Sequence, residues 1–264
     1  MSTATINGIR LAYTDQGRGM PIVLLHAFPQ NRTMWEPQIA ALSKTHRVIA
    51  LDFRGFGESD APAGAYSLDQ YADDVKGLLD QLSITQAVFV GLSMGGYTLF
   101  ACYRKYADRV KALVLADTRA GADSEEGKAG RLAMARTALE KGAGPAADIM
   151  LPKLLSSVAL QTKPELVRQV RERIERTQPN GIAGAQMAMA SRVDSIPLLA
   201  QIARPTLIIM GELDGPTPPS EGKLMAEKIP GARLEIIPQA GHLSNLEQPE
   251  AFNAAGLSFL QSLE

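Results

Sequence analysis

Val88-Phe89-Val90-Gly91-Leu92-Ser93-Met94-Gly95-Gly96-Tyr97 decides the fold. An apolar, β-branched run ends in Gly-x-Ser-x-Gly, and a helix-compatible segment follows it. A strand that turns at once into a helix forces its turn residue into a strained backbone conformation. Gly91 and Gly95 remove the side chains that would collide as strand and helix close on each other. Such a turn lifts the Ser93 hydroxyl off the carboxyl edge of a sheet and sets it at the positive end of a helix. A glycine-rich turn with an incidental serine fits the same pattern, so the surrounding chain has to discriminate.

On the N-terminal side, residues 3–15 alternate around Asn7-Gly8 and predict a hairpin. Residues 21–26 and 47–52 are near-continuous apolar runs, as in strands buried on both faces. Between them, residues 33–43 predict a helix with Thr33 as its cap. Residues 67–82 place Leu68, Tyr71, Val75, Leu78, Leu79 and Leu82 on one helical face. After the elbow helix, expected to reach Tyr106, residues 112–117 form another strand. This alternation calls for a parallel sheet with helices on both faces. From 118 to 197 it stops. Segments 130–141, 146–157, 164–177 and 181–191 read as helices, which predicts an inserted helical cap between core segments 1–117 and 198–264. The alternation resumes with strands at 205–210 and 233–238 and helices at 219–228 and 249–260.

The 264 residues allow one large α/β domain with an insertion, and their 45% hydrophobic content is ordinary for a globular protein. A net charge of -1 without like-charge blocks gives no reason to expect nucleic acid or an anionic membrane as partner. The single cysteine, Cys102, leaves no internal disulfide or cysteine-cluster metal site, and its helical setting predicts a buried thiol. The first residues lack a charged start followed by an apolar run, and no stretch is long enough to span a bilayer. A cytoplasmic location is therefore expected. No signal for an oligomeric state is present.

A serine hydroxyl needs a base to take its proton, and the base needs an orienting group. The chain has three histidines, His26, His46 and His242. His242 follows the last strand, so it is expected at the sheet edge that carries Ser93. In the order that goes with a nucleophile elbow, the acid lies between serine and histidine. Asp214 follows the strand at 205–210 and meets that condition. Asp117 also ends a strand on this edge and is the alternative; its other reading is a cap on the entry to the inserted helices.

With these motifs together, the chain resembles the α/β-hydrolase superfamily over about residues 3–117 and 200–262. Within it, the chain looks like the serine esterases and lactonases that include 3-oxoadipate enol-lactonases and cofactor-free haloperoxidase-like esterases. The resemblance implies Ser93 as nucleophile, His242 as base and Asp214 as acid. The oxyanion donors would be the Met94 N–H, directly after the nucleophile, and by resemblance the Phe28 N–H in His26-Ala27-Phe28-Pro29. Relatives carry glycine where Ala27 stands. His26 reads either as a second base or as a loop hydrogen-bonding group. Asp52 and Arg54 are expected to pair with each other or with their loop backbone, and Trp35 to line the pocket mouth or pack the first helix. The implied reaction is cleavage of a small carboxylic ester or lactone through an acyl-enzyme, with no cofactor or metal. Carbon–carbon bond hydrolysis and perhydrolysis remain compatible with the same residues, as does a receptor-like binding role with slow turnover. Dehalogenases and epoxide hydrolases of the superfamily use aspartate where Ser93 stands.

Overall fold

A computed structural model describes residues 2–263. Its eight strands are β1 Ser2–Ile6, β2 Ile9–Gln16, β3 Pro21–Leu25, β4 Arg47–Leu51, β5 Ala87–Leu92, β6 Val110–Ala116, β7 Thr206–Gly211 and β8 Arg233–Ile237. They form one sheet in the order β1-β2-β4-β3-β5-β6-β7-β8. The hairpin β1–β2 turns at Asn7 and Gly8, both at positive φ, and pairs antiparallel onto β4. All other pairings are parallel, so β3 to β8 all present their carboxyl ends on one edge. β5 lies near the middle and is buried throughout, which is why its sequence runs apolar without alternation.

The helices are α1 Glu36–Leu42, α2 Leu68–Gln81, α3 Met94–Tyr106, α4 Glu125–Lys141, α5 Gly144–Leu154, α6 Ser157–Thr162, α7 Pro164–Glu175, α8 Pro179–Ala190, α9 Ile196–Leu199, α10 Pro219–Lys228, α11 Ser244–Glu247 and α12 Pro249–Gln261. The apolar stripe of α2 is buried as expected, and Ser67 caps it by accepting the Gln70 N–H at 3.0 Å. Thr33 is not a cap. Asn31 accepts the Thr33 N–H at 3.0 Å and starts a 3₁₀ turn over Arg32–Trp35, after which α1 begins with Pro37 in its first turn. Trp35 is buried and packs on Phe252 of the last helix, α12.

Between β6 and β7 the described residues form helices and no strand. α4 starts five residues before the predicted 130, because Ser124 accepts the Gly127 N–H and sets the first turn. The segment predicted as one helix over 146–157 is two. Pro152 withholds one backbone N–H, Leu155 turns extended, and Ser156 caps α6. α4 packs along α8, and α5 against α7. Among the described residues no helix is long and apolar enough to cross a membrane.

Candidate active site

Ser93 sits between β5 and α3 with φ 55° and ψ -111°, a conformation unfavourable for a residue with a side chain. Surrounding bonds hold it there. Its N–H donates to the Ala116 carbonyl at 2.9 Å, while its own carbonyl accepts from the Thr118 hydroxyl at 2.9 Å and the Tyr97 N–H at 3.0 Å. The two motif glycines are needed for space. A β-carbon on Gly91 would lie 2.5 Å from the Gly95 carbonyl, and one on Gly95 would collide with the main chain of Leu25 in the neighbouring strand β3.

Three residues expected at one sheet edge do meet there. His242 Nε2 lies 2.8 Å from Ser93 Oγ, across 149 positions of sequence. His242 Nδ1 lies 3.0 and 2.9 Å from the two oxygens of Asp214. Asp214 also accepts the Thr217 N–H at 2.9 Å and the Thr217 hydroxyl at 2.6 Å. With Nδ1–H donated to the carboxylate, Nε2 is left as acceptor toward the serine. All three side chains are recessed: Ser93 is 8% exposed, His242 4% and Asp214 3%. Burial is the largest influence on the His242 ring and favours its neutral form. The charge and hydrogen bond of Asp214, with smaller contributions from Asp117 and Glu247, outweigh it and raise the ring's proton affinity above its ordinary value.

The N–H groups of Phe28 and Met94 donate to no backbone acceptor among the described residues outside regular elements. Met94 opens α3, where the helix itself offers its N–H no partner. Ala27, where the resemblance leads one to expect glycine, is not among the described residues at positive φ, so the loop accepts a β-carbon there.

The remaining candidates have other tasks. His26 puts Nδ1 2.9 Å from the Ala27 carbonyl and accepts the Phe53 N–H at Nε2, 3.1 Å away. Burial pulls it down to about 4. With both nitrogens engaged it is a loop-tying group, not a second base. Asp117 does not cap the inserted helices. It accepts the Gly211 N–H at 2.7 Å and the Ser244 hydroxyl at 2.5 Å, tying the end of β7 to the start of α11. Burial, and then the charge of Asp214, pushes its carboxyl well above the usual range. Asp52 and Arg54 are not partners of each other. Asp52 takes the Arg32 guanidinium and the Glu58 N–H, while Arg54 forks onto Asp74 at 2.6 and 2.8 Å. Both residues lie in the loop after β4, and Asp52 bonds that loop's backbone while the two side chains take ion-pair partners from different segments. Cys102 is buried, as expected, and burial pushes its thiol up to about 12.

Sequence reasoning missed Thr217, Ser244 and Glu247. For Thr217 a signal existed: an aspartate followed three residues later by threonine is a local acceptor–donor pattern. Ser244 and Glu247 act on partners 127 and 91 positions away, and no local pattern marks them.

Residues 20–249 match the protein family described as alpha/beta hydrolase fold. The chain is 32% identical over 255 residues to 3-oxoadipate enol-lactonase 2 of Acinetobacter baylyi, covering 96% of this chain and 94% of that protein. It superimposes on a thermophilic esterase from Thermogutta terrifontis, solved with malate bound, with a TM-score of 0.97 at 40% identity over 99% of this chain and 98% of that one. The enol-lactonase of Burkholderia xenovorans gives a TM-score of 0.92 at 36% identity over 98% of this chain and 100% of that one.

Proposed function

The chain belongs to the α/β hydrolase fold family, and from that premise we propose that it hydrolyses small carboxylic esters or lactones through an acyl-enzyme on Ser93. The observation that carries this reading is the hydrogen-bonded line from Ser93 Oγ through the His242 ring to Asp214. The esterase and the enol-lactonases among its relatives support the substrate class.

In the first step Ser93 Oγ adds to the acyl carbon while its proton passes to His242 Nε2. Asp214 holds the opposite nitrogen and stabilises the ring once charged. The carbonyl oxygen becomes an oxyanion, received by the Met94 and Phe28 N–H groups. Collapse expels the alcohol oxygen, which takes the proton from Nε2; in a lactone that oxygen stays tethered to the acyl chain. Water then repeats the sequence on the acyl-enzyme, giving its proton to Nε2 and releasing the acid. Base, nucleophile and donors all come from the protein, so this route uses no metal or organic cofactor. Residues 118–197 act as a helical cap over this edge of the 1–117 and 198–264 core and shape the acyl pocket.

Turnover of p-nitrophenyl acetate, followed by lactone substrates, tests the reading. Ser93→Ala should lower kcat on the order of 10³ to 10⁶-fold. Full activity in a folded Ser93→Ala protein would remove Ser93 from the chemistry.

A further inference from the structure

We propose that Glu247 is a positioning residue that fastens the catalytic base to the inserted helices. This rests on the reading of His242 as base. The loop from β8 to α11 carries His242, and the backbone N–H on each side of that residue is tied to one corner of the insertion, the junction of α5 and α6. On one side the Leu243 N–H donates to the Leu154 carbonyl at 3.1 Å. On the other the Gly241 N–H donates to Glu247 Oε1 at 3.0 Å. The same carboxylate takes the Ser156 N–H at 3.1 Å and the Ser156 hydroxyl at 2.5 Å. Three donors from two distant segments therefore converge on one side chain that is 1% exposed.

The closeness of this junction dictates residue 241. A β-carbon there would lie 2.6 Å from the Ser156 nitrogen and 2.8 Å from Glu247 Oε1, so only glycine lets the two segments approach. The carboxylate's partners are neutral donors, and Lys163 reaches only the main-chain oxygen of Glu247. Burying a charge this way is costly unless each lone pair is used. Two oxygens can serve three donors; a carboxamide has one oxygen and would turn its NH₂ toward N–H groups. The charge has a second effect. Asp214 in the β7 loop, Asp117 at the end of β6 and Glu247 in α11 all favour the protonated form of His242, while burial raises the proton affinity of Glu247 itself and its hydrogen-bond donors and Lys163 oppose that. The insertion thus does more than cover the site, because one of its corners sets where the imidazole stands.

Glu247→Gln tests this. A shift of about 1 Å in the base costs on the order of 10²-fold in rate. The expected result is a kcat loss of that order with KM little changed, and an acid limb of kcat/KM displaced to lower pH. The limb reports the lost charge and kcat the placement of the ring, so a residue that served stability alone would leave the kcat of the folded enzyme unchanged. Ser156→Ala keeps the charge and removes one donor, so it should give a smaller kcat loss with the limb in place. A folded Glu247→Gln enzyme with wild-type kcat and an unmoved limb overturns the proposal. Should Glu247→Gln not fold, wild-type kcat in Ser156→Ala overturns it instead. Ser93→Ala in the same assay separates the two readings. An inactive Ser93→Ala beside a fully active Glu247→Gln removes only this proposal, whereas an active Ser93→Ala removes the acyl-enzyme mechanism itself.

Discussion

Replacing Asp214 by asparagine changes one atom and should disable the base without unfolding the protein. The carboxylate lies within 3.0 Å of His242 Nδ1 through both oxygens, and it also accepts the Thr217 N–H at 2.9 Å. An asparagine has a single acceptor. If that oxygen stays on the Thr217 N–H, the NH₂ group stands 2.9 Å from Nδ1 and donates to it. The ring then carries its proton on Nε2, facing Ser93 Oγ at 2.8 Å, and cannot accept another from the serine. The opposite flip sets NH₂ against the Thr217 N–H, donor to donor, and is disfavoured. A wrong tautomer of this kind costs on the order of 10⁴ in kcat, about 5.4 kcal/mol of transition-state stabilisation. Asp117→Asn is the matched control. Burial and the charge of Asp214 favour the neutral carboxyl at Asp117, and asparagine is its neutral isostere. An amide oxygen can take the Gly211 N–H and its NH₂ can reach Ser244 Oγ, giving up only the long 3.3 Å bond from the Ser244 N–H, and asparagine tolerates the φ of 41° found there. Its kcat should fall by roughly tenfold or less. Steady-state kinetics on p-nitrophenyl acetate above the acid limb, with thermal melts to establish folding, give the comparison. A larger loss in Asp117→Asn than in Asp214→Asn would reassign the acid and refute the tautomer argument.

The pH profile follows from the sign of the shift at His242. Carboxyls around the ring outweigh its burial and raise its proton affinity above 6.5, so the ring keeps a blocking proton to higher pH, and kcat/KM should rise through a midpoint above 6.5; a flat profile, or a midpoint below that value, would contradict it. Gly95→Ala would drive a β-carbon into the Leu25 backbone and should cost about 3 kcal/mol or more in denaturant unfolding, and near wild-type stability would show that the elbow is looser than its contacts imply.

Much of the architecture could be read from the chain because its signals are local. The turn residues Asn7-Gly8, the buried runs at β3 to β7 and the stripe of α2 each report their own surroundings through periodicity. The errors were of one kind. Of the two partners expected for Asp52 and Arg54, the loop backbone is met at Asp52, which accepts the Glu58 N–H, but their ion pairs go to Arg32 and Asp74 and not to each other. The threonine at 33 looks like a cap along the chain, but Asn31, two residues earlier, has the oxygen in place. The helical composition of 146–157 runs on across Pro152, while the chain turns at Leu155 and starts a new helix.

By itself the sequence determined the elbow, the alternation that makes the sheet parallel, and the order Ser93, Asp214, His242, because steric demands and hydrophobic period are written residue by residue. Tertiary structure alone decided the tasks of the surrounding polar groups: Asp117 on β7 and α11, His26 between two backbone segments, Glu247 between His242's loop and a distant corner. A buried carboxyl takes whatever donors the fold brings to it, and hydrogen bonds are satisfied in space, not along the chain.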